Sequence, residues 1–222
     1  MTVRAVLFDF DFTLGDSADA IVHCSRAAFT DMGLTPADPS AIRRTIGLTL
    51  QESFRVLIGG AEAAPSCDAA EEYTRCYVAH ADRVMTAMTT VYPPAAGVLA
   101  TMRARGVGTA IVSTKYRYRI ESILAHCGLS GAVDVVVGGE DVRRHKPDPE
   151  GLERALAGLA VDGREALYVG DHPVDGRAAA AAGVRFVRVL TGEEHGDAHW
   201  AGIQPVATLD DVGGVPAVID RL

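Results

Sequence analysis

Five short apolar runs constrain this chain more than any other feature: Val3 to Phe8, Val107 to Val112, Val133 to Val137, Ala166 to Val169 and Arg185 to Leu190. Most are rich in branched residues, the pattern of strands buried on both faces of a parallel sheet. Between them lie helical stretches at Ala95 to Arg105, Arg117 to His126, Pro149 to Leu159 and Val174 to Ala182. Strand alternating with helix predicts an α/β fold, a doubly wound open parallel sheet. The alanine-rich RAAAAAG ending at Gly183 fits a helix packed closely on that sheet.

The alternation is interrupted once. From Asp16 to Val91 no strand-like run occurs, and AIVHCSRAAFTDMGL, AIRRTIG, LQESFRVLI and AAEEYTRCYVAHADRVM all carry helical spacing. We therefore expect an all-helical domain, residues 16–91, inserted into a sheet domain made of residues 1–15 and 92–222. The chain is expected to return through VYPPAAG, where Pro93 and Pro94 would stiffen the crossing. Hinges are expected near Gly15 to Ala18 and Tyr92 to Gly97.

Charge narrows the function classes. Lys plus Arg number 21 against 29 Asp plus Glu, a formal charge of -8 and the wrong sign for gripping a phosphate backbone, so no nucleic-acid partner is expected. No stretch reaches the about 18 apolar residues of a membrane span, and the N-terminus lacks a signal-peptide pattern. Neither membrane nor membrane partner is expected, and the location expected is cytoplasmic. Cys24, Cys67, Cys76 and Cys127 are scattered without zinc spacing and read as reduced.

Ligands of open parallel sheets bind beyond the carboxyl ends of the strands, and four such ends carry reactive groups. The first supplies Asp9 and Asp11, two apart, so that in extended chain both side chains leave one face. AIVSTK supplies Ser113 and Thr114; HKPDPEG supplies Lys146 between His145 and Pro147; LYVGDHPVD supplies Asp171 and Asp175. A lone Asp in a strand-end turn usually bonds its own backbone, and a lone Ser or Thr there caps a helix, a job Ser113 is expected to share. Carboxylates gathered from several strand ends need a cation instead, and an oxygen-only set without Cys or His suits Mg²⁺. Hydroxyls, a helix start and a lysine beside them make a phosphate cradle. Thr13 reads as a hydrogen-bonder of the first loop, His145 and His172 as loop residues near the site, and His195 and His199 as surface loop.

DFDFTLGDS, IVSTK, HKPDPEG and VGDHPVD, in that order and with a helical insertion after the first, resemble the haloacid dehalogenase superfamily, in its phosphoglycolate-phosphatase-like branch with a helical cap. The resemblance spans nearly the whole chain. It implies a Rossmann-like catalytic core and a Mg²⁺-dependent phosphatase acting on a small-molecule phosphate monoester, similar to phosphoglycolate, through an aspartyl phosphate. By the same resemblance Asp9 is the nucleophile and Asp11 the acid/base. Asp9, Asp171 and the Asp11 carbonyl are metal ligands, and Asp175 orients metal-bound water or the lysine. Ser113, Thr114 and Lys146 bind the phosphoryl group. Sugar-phosphate mutases like β-phosphoglucomutase and inorganic pyrophosphatases share these motifs and stand as alternatives; a non-enzymatic phospho-ligand binder is a third, disfavoured by the filled catalytic positions. Dehalogenases lack a carboxylate at the position of Asp11.

Two residues carry specificity expectations. Phe12 stands where the family pattern has Gly, so the turn is expected to keep negative φ, with the ring either packing or narrowing the pocket mouth. Arg44, with its neighbour Arg43, is the candidate for a substrate's distal acidic group.

Overall fold

The computed structural model describes residues 2–59, 67–193 and 195–222. Its strands are β1 (Ala5–Phe8), β2 (Gly15–Asp16), β3 (Thr90–Val91), β4 (Gly108–Val112), β5 (Val135–Val137), β6 (Ala166–Gly170), β7 (Arg185–Val189) and β8 (Ala207–Leu209). The chain forms two compact units, Met1–Asp16 with Val91–Leu222, and Ser17–Thr90.

In the first unit, six strands form one sheet in the order β5-β4-β1-β6-β7-β8, with every adjacent pair parallel. Parallel neighbours need crossovers, supplied by α5 (Pro93–Ala104), α6 (Arg117–His126), α7 (Glu150–Leu159) and α8 (Pro173–Ala181), with α9 (Asp197–Trp200) and α10 (Val215–Ile219) following. Ala5, Leu7, Ala110, Val112 and Tyr168 share one buried cluster with Leu152 and Ala155 of α7 and Ala178 and Ala179 of α8. Strand alternation sends Val6, Phe8 and Ile111 to the opposite face, where they are also fully buried. Both faces are covered, which is why the runs read as continuously apolar. The small side chains of α8 let it lie close on the sheet, as the alanine run implied.

Pro93 and Pro94 do not stiffen a linker. They occupy the first turn of α5, where a missing N–H costs nothing because those amides have no helical partner. The three-residue β8 has too little apolar sequence to be read in advance, and it closes the edge of the sheet beside β7.

The second unit is helical: α1 (Ala18–Asp31), α2 (Pro39–Arg43), α3 (Leu50–Leu57) and α4 (Cys67–Met88). Phe54 of α3 stacks on Tyr73 of α4 with ring centroids 4.8 Å apart, and Phe29 of α1 meets both at 5.6 Å. The Tyr73 hydroxyl donates to Ser25 Oγ at 2.8 Å, so the buried ring keeps its polar tip satisfied; burial pushes its pKa up to about 12. A reciprocal cap between Thr49 and Glu52 starts α3. Replacing Phe54 with Ala should cost about 3–5 kcal/mol of stability. Denaturant unfolding of the variant measures it, and a loss below about 1 kcal/mol would mean the aromatic cluster does not hold this unit together.

Candidate active site

Register decides which residues meet. Phe8 of β1 is level with Ile111 of β4 and with Val169 of β6, so three neighbouring strands end in step. Asp9 leaves β1 at the height of Val112 and Gly170, and Ser113 and Asp171 follow one residue further on. The Asp9 amide donates to Val169 O at 2.9 Å, and the Ser113 amide to Val137 O at 3.1 Å, which ties both to the sheet.

After Asp9 the chain turns tightly. The amides of Thr13, Leu14 and Gly15 all donate to Phe10 O, at 3.2, 2.9 and 3.0 Å, and the Phe12 amide donates to Gly15 O at 2.7 Å. This turn holds Phe12 at φ 59, in the left-handed region, and so corrects the expectation of negative φ. That conformation costs a non-glycine residue about 1–2 kcal/mol, which the convergent turn bonds outweigh. A further bond comes from the Thr191 hydroxyl, which donates to Phe12 O. The Phe12 side chain itself is buried.

Lys146 is the hub of the cluster that results. Its Nζ lies 3.0 Å from Asp9 Oδ1 and donates to Asp175 Oδ1 at 2.6 Å and to the Tyr168 hydroxyl at 3.2 Å. Asp175 is saturated, because its Oδ1 also lies 3.0 Å from the Tyr168 hydroxyl and its Oδ2 accepts from the His172 amide at 3.0 Å. A Cβ at Gly170 would sit 2.5 Å from Asp175 Oδ2, so only glycine lets this carboxylate tuck under the strand end. Asp171 Oδ1 accepts from Thr13 Oγ1 at 3.0 Å. Carboxylate oxygens of Asp9, Asp171 and Asp175 all lie within 4.8 Å of one another, and all three residues are buried.

Burial raises the pKa of Asp9; Lys146 opposes that rise and Asp175 adds to it. Asp171 is raised well above the usual carboxylate range, first by burial and then by the charges of Asp175 and Asp9. Burial alone would lower Lys146, but Asp175 and Asp9 outweigh it and hold the ammonium above its ordinary value. The three carboxylates and the Lys146 ammonium leave a formal charge of -2. Asp9 Oδ1 is paired with the Lys146 ammonium, and Asp11 Oδ1 is buried without a hydrogen-bond partner among the described residues. A buried, oxygen-rich, under-neutralised set fits a divalent cation.

Asp11 sits apart from this triad, its Oδ2 3.2 Å from Lys115 Nζ, with both side chains at most one-tenth exposed. Sequence reasoning missed Lys115, although it stands in IVSTK, because a single lysine after a strand is commonly solvated. It also missed Tyr168, whose place in the middle of an apolar strand was the available signal: a buried tyrosine hydroxyl needs a partner. Ser113 is buried beside the site, but its Oγ accepts from the Lys115 amide at 3.3 Å and does not cap the following helix as expected. That helix, α6, begins at Arg117, whose amide donates to Glu140 Oε2 at 2.9 Å. Thr114 is half-buried next to Ser113. His172 caps α8 by accepting from the Val174 amide at 3.1 Å, and burial lowers its pKa to about 3, with His195 and Lys146 adding to the shift. His195 is not a free surface residue, since its ring meets His172 edge-on at 4.2 Å. Arg44 belongs to the helical unit, where it is exposed and donates to Ser40 Oγ at 3.3 Å.

Comparison with known proteins converges on one group. The haloacid dehalogenase-like hydrolase family matches residues 6–189. A plasmid-encoded phosphoglycolate phosphatase of Cupriavidus necator is 33% identical over 216 residues, covering 97% of this chain and 92% of that protein. The phosphoglycolate phosphatase of Rhodospirillum rubrum is 31% identical over 222 residues, covering 98% and 87%. Among solved structures, a haloacid dehalogenase-like hydrolase from Bacteroides fragilis superposes with a TM-score of 0.90 at 38% identity, covering 96% of this chain and all of that one (100%).

Lys146→Met should cost about 3–5 kcal/mol, because it strands buried carboxylates without their ammonium; a variant as stable as the parent in denaturant unfolding would contradict the hub. The raised pKa values of Asp9 and Asp171 mean that the native state holds protons which the unfolded chain has released. That part of the stability is present below the ordinary carboxylate range and is lost as pH rises through the raised values. A divalent cation bound here would replace those protons, so added Mg²⁺ should raise the melting temperature more at about pH 8 than at about pH 5. Equal shifts in thermal unfolding at the two pH values would count against a cation in this cluster.

Proposed function

The chain belongs to the haloacid dehalogenase-like hydrolase family, and from that membership and its buried acidic cluster we propose a phosphatase that cleaves a small phosphate monoester through an aspartyl phosphate. The observation that carries this reading is the buried Asp9 carboxylate at the end of β1, its Oδ1 3.0 Å from Lys146 Nζ and the group within 4.8 Å of two further carboxylates. A nucleophile needs a fixed direction and a nearby positive charge, and the strand end and Lys146 give Asp9 both.

In the first half of the reaction an Asp9 oxygen attacks phosphorus. The new O–P bond forms as the ester P–O bond breaks, and Asp11 delivers a proton to the departing oxygen. In the second half, Asp11 as carboxylate takes a proton from water while the water oxygen attacks phosphorus. Asp9 leaves as a carboxylate, inorganic phosphate is released and Asp11 is again protonated. The Asp11 oxygen suited to this traffic is Oδ1, because Oδ2 faces Lys115. Lys146 offsets the charge on Asp9 and on the transferring group, and the Ser113 hydroxyl with the chain at Thr114 cradles the phosphoryl oxygens. Asp175 and Tyr168 act through Lys146 by holding its ammonium in place. A divalent cation, Mg²⁺ by its preference for oxygen donors, would be held by Asp9, Asp171 and the Asp11 carbonyl, and when bound it supplies charge neutralisation at phosphorus.

Phosphoglycolate, named in the curated relatives, is the first substrate to test. A panel of 2-phosphoglycolate, pyrophosphate and β-glucose 1-phosphate, assayed with Mg²⁺ for released phosphate and for isomerised product, separates hydrolase from mutase. Release from phosphoglycolate is expected, and isomerisation without release would overturn the reading. Asp9→Asn should lower kcat by at least about a thousandfold, and Asp11→Asn by about 10²–10⁴-fold. Undiminished turnover in Asp9→Asn would remove Asp9 from the nucleophile's place.

A further inference from the structure

The loop after β7 carries no motif of the reaction, yet two of its residues press against the site. Thr191 donates its hydroxyl to Phe12 O, in the turn that carries Asp11. The next residue, Gly192, lies so close to Asp171 that a Cβ there would stand 2.0 Å from Asp171 Oδ2 and 2.7 Å from its Cγ. Thr13, in the same turn as Phe12, completes the circuit through its bond to Asp171 Oδ1 at 3.0 Å. The loop is anchored where it leaves the sheet, since the Leu190 amide donates to Leu209 O at 3.0 Å. The turn bearing Asp11, the loop at 191–192 and Asp171 therefore form one closed set of contacts.

We propose that Thr191 and Gly192 are positioning residues: Thr191 holds the Asp11 turn in a conformation that Phe12 disfavours, and Gly192 sets the direction of Asp171. A glycine at position 12 would adopt φ 59 at little cost and would need little anchoring, whereas phenylalanine does not relax there. The Thr191 hydroxyl adds to the bonds that offset this cost, so the two positions are energetically coupled. This inference rests on the phosphatase reading for its activity readout.

The test combines Thr191→Val, Thr191→Ser, Phe12→Gly and the Thr191→Val/Phe12→Gly double variant, assayed with p-nitrophenyl phosphate and Mg²⁺. Thr191→Val should lower kcat about tenfold with KM within about twofold, and Thr191→Ser should recover most of that loss. In the Phe12→Gly background the same Thr191→Val change should cost less than about threefold. Amide hydrogen exchange at Phe12, Leu14 and Gly15 should quicken about tenfold in Thr191→Val, whether or not the chain turns over the ester. Gly192→Ala should weaken binding of Mg²⁺ alone, measured by calorimetry, by about tenfold. An equal kcat loss in both backgrounds, or unchanged exchange in Thr191→Val, would overturn the clamp. Unaltered Mg²⁺ affinity in Gly192→Ala would overturn the role given to Gly192. If the parent protein hydrolyses no ester, the phosphatase reading falls, while the exchange and calorimetry still decide the clamp.

Discussion

Three carboxylates share one buried neighbourhood with the Lys146 ammonium, and much of the sheet unit is arranged around that imbalance. Asp175 spends both oxygens on Lys146, Tyr168 and the His172 amide, so it behaves as a fixed counter-charge. Asp9 and Asp171 keep capacity to spare, and the cost of burying them appears as raised pKa values. In water such groups would solvate or separate; here the strand ends forbid it. The same deficit that destabilises the cluster makes it receptive to a cation and to the chemistry proposed for it.

The sheet creates this closeness. β1, β4 and β6 are adjacent, parallel and in step, so residues distant along the chain emerge at one edge and at nearly one height. Helices α7 and α8 cover one face and lock the strands through Leu152, Ala155, Ala178 and Ala179. A one-residue slip in the register of β6 would turn Asp171 to the other face. Position in the candidate site is thus a property of apolar packing, although the groups gathered there are polar.

Phe12 shows how local preference yields to tertiary demand. Taken alone, phenylalanine argues for negative φ, and that argument is sound for an isolated turn. Three amides converging on Phe10 O and the hydroxyl of Thr191, far away in the chain, reverse it. Ser113 is a second instance: a serine just before a helix reads as a cap, but the chain takes three more residues to reach α6, and Glu140 from another loop meets the first amide instead. The partners of Lys115 and Tyr168 were illegible for a related reason. Nothing in one dimension says that a lysine will be buried against Asp11, or that a strand tyrosine will reach Asp175.

The sequence by itself determined the strand–helix alternation, because doubly buried strands must be short continuous apolar runs, and it marked the strand ends where Asp9, Asp11, Ser113 and Asp171 stand, because polar residues cannot continue such runs. Tertiary structure alone decided the left-handed Phe12, the pairing of Lys115 with Asp11, the burial of Asp175 under Gly170 and the contacts of the 191–192 loop. Each of those depends on groups far apart in the chain being pressed together, and local propensity carries no information about what a residue will meet across the sheet.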